Sequence, residues 1–269
     1  MLTPNFFNTI LIFPFINILL FLYNGFLLLR IPFAFGFSII ALTALIRFAL
    51  HPFFHKQTMM ARKMAEIKPQ LDHLSKKYKA DKRKLQEEQM KLYKEMGVNP
   101  ASGCVFALIQ MPIFIALYQV LSIFFINGGT TKLVGQVNKI VYFQFLKISA
   151  IDPMFFGINL GIAPSHFQKY GWYYLIIPAL TAFLQYMQVK VSTTSSTVSG
   201  KAVVVQKKES TEDTKKNKSD MQGMMNTQMK YIFPLMIGWF SYTLPVGLSL
   251  YWNIFSLFSI LQATKKVDI

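Results

Sequence analysis

Cysteine, acidic residues and phosphate-binding glycine loops are what this sequence has least of. A single cysteine, Cys104, in 269 residues excludes an internal disulfide framework, and with only four histidines no Cys/His cluster stands at metal-ligand spacing. No glycine loop of the Walker or dinucleotide type occurs, and there is no nucleophile elbow. Redox, zinc and nucleotide-driven chemistry therefore have no carrier. No cofactor and no metal are expected, and the chain reads as something other than an enzyme. Acid is scarce too: 12 Asp and Glu face 28 Lys and Arg, a formal net charge of +16.

What is there is apolar and gathered into blocks. Hydrophobic residues make up 53% of the chain and aromatic residues 15%, against 15% charged. Several apolar runs reach about 20 residues, the length that matches roughly 30 Å of hydrocarbon. The basic residues concentrate in two polar stretches between these runs, the pattern expected where cytoplasmic loops carry excess positive charge. On a soluble domain such a charge would point to nucleic acid. Here its placement points to membrane topology and anionic lipid, with no specific nucleic-acid recognition.

The order of segments follows from hydropathy and helix punctuation. Residues 1–35 hold an apolar, aromatic helix interrupted by Asn8, Pro14, Asn17 and Asn24, either interfacial or spanning. A first span is expected over 36–54, then a polar, basic region of helical period over 55–100. In that region Met60, Met64, Ile67, Leu71, Leu74 and Tyr78 share one helix face, and Leu85, Leu92 and Met96 share another. Asp81 is placed to cap the second helix and Gly97 to end it, which makes the region a helical hairpin. Pro69 should bend or restart the first helix. A second span is expected over 101–126, a broken polar segment over 127–170, and a third span over 171–189. A Ser/Thr- and Lys-rich linker of disordered composition covers 190–227. Two closely spaced spans, 228–244 and 245–264, and a short basic tail, 265–269, complete the chain. With both basic stretches and the tail cytoplasmic, five spans put the N-terminus outside. If the first helix also crosses, there are six, with the N-terminus inside.

One charge sits where charges are costly. Arg47 lies about eleven residues into the first span, roughly 16 Å along a helix. An arginine at mid-span costs about 2.5 to 3.5 kcal/mol on insertion scales, so it should face protein or water and mark a functional site. The competing reading is that its side chain reaches back to the interface near His55. Thr43 stands four residues earlier on the same face. Gln110, Gln185, Gln188, Asn253 and Gln262 are further polar groups within spans, able to line a groove or to join helices by hydrogen bonds.

Three runs carry a resemblance. Gly97-Val98-Asn99-Pro100, Gly103-Cys104 and Gln110-Met111-Pro112-Ile113-Phe114-Ile115-Ala116-Leu117-Tyr118 resemble the start of the second core helix of YidC/Oxa/Alb insertases. Ser38-Ile39-Ile40 through Arg47 and Pro52, followed by Lys68-Pro69-Gln70, resembles their first core helix and cytoplasmic hairpin. Leu250-Tyr251-Trp252-Asn253 followed by Gln262 is similar to their last helix. The likeness runs in order from about Gly36 to Lys266, in a form short of the large periplasmic domain of Gram-negative members.

The resemblance implies an all-α membrane protein of the bacterial inner membrane. Its five-helix transmembrane core, with a cytoplasmic helical hairpin and the N-terminal helix, would surround a hydrophilic groove holding one arginine, here Arg47. Thr43, Gln185 and Trp252 are its expected companions in a substrate-binding groove, and Met64, Leu71, Leu85 and Met90 are the expected client-capture residues of the hairpin. The implied activity is insertion of nascent membrane proteins from the cytoplasm into the lipid bilayer without ATP hydrolysis. The ribosome and the Sec translocon are candidate further partners. Many members dock ribosomes through a long basic C-terminal tail, for which the basic stretch from Lys201 to Lys218 would be the weak substitute in this sequence. The alternative from another class is a small-solute transporter or channel in which the arginine binds an anion. No internal repeat of the kind common in transporters is present. A passive scaffold for membrane complexes is a third reading.

Overall fold

The computed structural model describes residues 3–99, 102–125, 131–194 and 231–264. The expected linker beyond Thr194 and the tail 265–269 lie outside them. The described residues form a helical bundle with α1 (Phe13–Leu28, entered through a π-helical turn Asn8–Ile12), α2 (Ala34–Ala49), α3 (His51–Lys77), α4 (Lys82–Glu95), α5 (Ser102–Phe125), α6 (Thr131–Ile140), the single turn α7 (Phe167–Tyr170), α8 (Ile176–Thr194), α9 (Phe233–Thr243) and α10 (Val246–Thr264). A two-stranded antiparallel hairpin, Met154–Phe155 with Ile158–Asn159, is the only sheet among the described residues.

The apolar blocks pack as one core. α10 lies against α8 and α2, α9 against α8, and α1 against α2. Ile16, Leu19, Leu20, Phe35, Leu42, Val120, Leu121, Leu248 and Tyr251 are buried at its centre. Among the described residues two helices are long and apolar enough to cross a membrane, Asn8–Leu28 and Val246–Thr264, and the bent pair Ala34–Ala49 with His51–Met64 makes a third if it is one span. α8 carries the polar residues Thr181, Gln185, Gln188 and Lys190, and α9 runs for 11 residues.

The expected first span over 36–54 is not one helix. α2 ends at Ala49, and the chain turns by 69° before running on as α3. Pro52, at the start of α3, tolerates this because a first-turn position has no intrahelical N–H partner to lose. The bend puts Phe54 beside Arg47 instead of about two turns beyond it. The third span likewise starts differently, with a 3-10 turn over Trp172–Leu175 before α8, which continues past 189 to Thr194.

The hairpin consists of α3 followed by α4. The Asp81 side chain accepts from the Lys84 N–H at 3.0 Å, capping α4. At the other end Gly97 takes a left-handed conformation (φ 61°), and the Val98 N–H donates to the Tyr93 carbonyl at 2.9 Å, closing the helix. Pro69 lies inside α3 and does not interrupt it. Ile67, Leu71, Tyr93 and Val98 form a small core separate from that of the bundle, with Met64 and Leu92 against it.

The segment between α5 and α8 closes one end of the bundle. α6 turns Val134 and Val137 inward and leaves Gln136 and Lys139 outward. The Asn138 side chain pairs with both the N–H and the carbonyl of Ile148, holding the following chain back against α6. The start of α10 is fixed by the same segment. The Val246 and Gly247 N–H groups, which have no partner within their own helix, donate to the carbonyls of Ile162 (3.1 Å) and Leu160 (2.8 Å). Gly247 is required for this approach, because a Cβ there would meet the Phe125 ring.

Candidate functional site

Arg47 sits in the last turn of α2, where the 69° bend brings the first turn of α3 under it and α10 passes alongside. It is 7% exposed. Its guanidinium carbon lies 4.2 Å from the ring centres of both Phe54 (α3) and Phe255 (α10), a cage of two aromatic faces. Nη2 donates to the Phe255 carbonyl at 3.3 Å and to the Ser259 hydroxyl. That hydroxyl in turn donates to the Phe255 carbonyl at 3.0 Å. Nε has no hydrogen-bond partner among the described residues. Arg47 is therefore held by protein on three sides, from α2, α3 and α10, while one of its donors meets no partner among the described residues.

The other expected site residues are also buried, each in its own setting. Thr43 turns its hydroxyl back to the Ile39 carbonyl (2.7 Å), so its hydrogen is committed to the helix. Trp252 stacks on Phe114 with centroids 5.2 Å apart, joining α10 to α5. Gln185 is buried on α8, one turn from Thr181, whose hydroxyl meets that of Ser241 (3.2 Å), which meets that of Ser249 (2.7 Å). Three hydroxyls thus tie α8, α9 and α10 together in the middle of the core. Gln110, on the opposite side of α10, donates to the Tyr251 hydroxyl at 3.1 Å.

Two helices carry a polar row. Thr181, Gln185 and Gln188 on α8, and Ser249, Asn253 and Ser256 on α10, each recur at i, i+4, i+7, so each set lies on one face. Buried side-chain atoms of Gln188 (Oε1), Asn253 (Oδ1), Ser256 (Oγ) and Gln262 (Nε2), like Arg47 Nε, meet no hydrogen-bond partner among the described residues. A buried polar group without a partner costs about 1 to 3 kcal/mol, so such atoms call for water. Ser256, Ser259 and the two aromatic walls of the Arg47 cage were not singled out from the sequence. The serine period on α10 was the available signal. Phe255 had none, being 208 residues away, whereas Phe54 stands seven residues on, at the i, i+7 spacing of one helix face.

On the hairpin, the four expected capture residues divide. Leu71 is buried in the hairpin's own core and Met64 packs against it, Leu85 is half-buried, and Met90 is exposed at 49%, with Met59 and Met96 also exposed.

Compared with known proteins, the chain matches the sequence profile of a family described as 60Kd inner membrane protein over residues 27–265. The chain belongs to this family, the YidC/Oxa/Alb insertases. It is 32% identical over 220 residues to a membrane protein insertase YidC of Streptomyces avermitilis, covering 81% of this chain and 48% of that one. It is 30% identical over 240 residues to the YidC of Oceanobacillus iheyensis, covering 87% and 75%. An ALBINO3-like protein 2 of Chlamydomonas reinhardtii is 32% identical over 262 residues, covering 89% and 52%. The chain spans about half the length of several of the curated relatives it matches. A solved structure of an active YidC insertase aligns with TM-score 0.49 at 22% identity, covering 96% of this chain and 46% of that one. The YidC/Oxa/Alb match takes in the whole Arg47 cage, since Arg47, Phe54, Phe255 and Ser259 all fall within residues 27–265.

Proposed function

We propose that this protein is a membrane protein insertase that moves nascent membrane proteins from the cytoplasm into the bilayer through a hydrated groove centred on Arg47, without ATP. Family membership supports the insertase reading. The observation that carries the groove is the set of buried polar atoms on α2, α8 and α10 that meet no partner among the described residues. In hydrocarbon each would be costly; in a water-filled cleft each is satisfied. A client's short polar outer segment entering that cleft keeps most of its hydration. Arg47 Nε, unsatisfied at rest, offers a donor to acidic side chains in it. The apolar part of the client then partitions sideways into lipid, gaining about 0.8 kcal/mol per buried methylene. That partitioning drives the step.

Capture falls to the hairpin's exposed methionines, Met59, Met90 and Met96, whose flexible thioethers adapt to varied apolar clients. Leu71 and Met64 hold the hairpin together. In orientation, the hairpin, the linker and the C-terminus are cytoplasmic and the 127–170 segment lies outside. Asn17 donates to the Ile140 carbonyl (3.2 Å) and accepts from the Tyr142 N–H (2.7 Å), and Asn24 donates to the Phe145 carbonyl (2.8 Å). These bonds bind α1 along its length to the outer segment and favour the five-span reading, with α1 on the outer side.

The groove is tested by accessibility. In a Cys104→Ser background, single cysteines at Thr43, Arg47, Gln185 and Trp252 should react with a membrane-impermeant maleimide from the cytoplasmic side, at rates set by opening of α10 from α2. Leu45, 48% exposed on the outward face of α2, should stay unlabelled in the bilayer. Labelling of Leu45 alone, or of none of the four, would remove the groove.

A further inference from the structure

An exposed aromatic strip on the outer segment has no role in the groove. Tyr142, Phe143 and Phe145 follow α6 directly. Phe143 and Phe145 are exposed at 60% and 62%, and their rings stack with centroids 5.5 Å apart. Leu146, next in sequence, is buried, so the strip is anchored from below. It is also anchored from the side, because Asn17 and Asn24 of α1 grip the backbone of Tyr142 and Phe145. Those two asparagines are seven residues apart, about 10 Å along the helix, so strip and helix run together. The strip is thus held at three fixed points, at Tyr142, Phe145 and Leu146.

We infer that this strip is immersed in the interface of the outer leaflet, with the phenylalanine rings among the upper acyl chains and lysines at the headgroups. Three features of the molecule point to lipid and not to water or another protein. The strip is continuous with apolar surface on α1, where Phe21 and Leu28 are also strongly exposed. Tyrosine beside phenylalanine, with lysine close on both sides at Lys139 and Lys147, is the composition of a membrane interface, where an amphipathic ring and a snorkelling cation each find both solvents. Between residues 131 and 171 the sequence holds four lysines (132, 139, 147 and 169) and one acid, Asp152, a balance that suits anionic headgroups. The immersed strip holds the outer segment at a fixed depth, and through the Leu160 and Ile162 carbonyls it fixes the depth at which α10 begins.

Depth-dependent quenching tests this. In the Cys104→Ser protein reconstituted in phosphatidylcholine/phosphatidylglycerol vesicles, an environment-sensitive fluorophore is attached at Phe143→Cys, Phe145→Cys or Gln136→Cys. Gln136 lies on the outward face of α6. At 143 and 145 the emission should be blue-shifted and quenched at least twofold more by lipid carrying a nitroxide near the top of the acyl chain than by lipid carrying it near the methyl end. At 136 it should remain water-like. Water-like emission at 143 and 145 overturns the inference. Blue-shifted emission with no quenching by either lipid also overturns it, in favour of a protein partner on the strip. Single Phe143→Ser and Phe145→Ser variants carrying the probe at the other position guard against loss of folding: immersion predicts a shallower probe with an unchanged melting temperature.

Discussion

Leu71→Ala separates a capture residue from a packing residue, and its size can be worked out beforehand. Among the described residues the hairpin's core is four buried side chains, Ile67, Leu71, Tyr93 and Val98, with Met64 and Leu92 against them, so Leu71 is a large part of a small cluster. Leu→Ala at such a site costs about 2 to 5 kcal/mol. Even the lower figure is about 30-fold in the opening equilibrium, since every 1.4 kcal/mol is tenfold. Beyond that core, α3 touches the bundle through α5 and α8, and Arg62 donates to the Ala263 carbonyl at 2.6 Å, so the near end of the hairpin is tied to the bundle. Hydrogen exchange followed by mass spectrometry should therefore show protection lost by 30-fold or more over 67–98, while amides of α8 and α10 keep theirs. Met90→Ser is the matched control: its side chain is exposed, so exchange stays unchanged while cross-linking to clients falls. Uniform loss of protection across bundle and hairpin in Leu71→Ala would refute the claim that the hairpin has a separate core. Unchanged protection everywhere would refute the assignment of Leu71 to packing.

Other outcomes follow from single contacts. Gly247→Leu forces the Phe125 ring aside and should sharply reduce the yield of folded protein. Phe125→Ala in the same chain should restore part of it, as measured by monodisperse recovery in mild detergent. Ser241→Ala removes the hydroxyl that links Thr181 to Ser249, and within a membrane bundle each such bond is worth about 0.6 kcal/mol. The melting temperature should therefore fall by only a few degrees, and a fall large enough to prevent purification would contradict that. Arg47→Ala should be similarly mild for stability. About 2 kcal/mol from two cation–π contacts and about 3 from charge-assisted hydrogen bonds are offset by roughly 3 of burial cost, leaving a loss near 2 kcal/mol.

Much of the architecture was legible because it is written locally. Asp81 and Gly97 bracket α4 through bonds to residues three to five away, so residue type and spacing were enough. The apolar blocks were legible for the same reason, whereas Arg47, expected midway along a helix over 36–54, stands in the last turn of α2 because the chain bends at Leu50. The helical period identified the faces carrying Leu71 and Leu85 but not what each face meets, and so capture and packing residues were read together. Asn17 and Asn24 looked like interruptions of an apolar run and proved to be its attachments to a segment more than 100 residues on. The Arg47 cage depended on the bend at Leu50 and on the register of α10, neither of which a one-dimensional pattern encodes.

The central claim is that Arg47 works on clients in a hydrated groove with no nucleotide. Its direct test is insertion by the purified protein in sealed liposomes free of ATP and GTP, using a single-spanning client with a short acidic outer segment, read as protease protection. The account predicts that wild-type protein protects the client, that Arg47→Lys retains most of this because the charge remains, and that Arg47→Ala loses it while staying folded. Equal protection by Arg47→Ala and wild type, or protection that appears only when nucleotide is added, would contradict it.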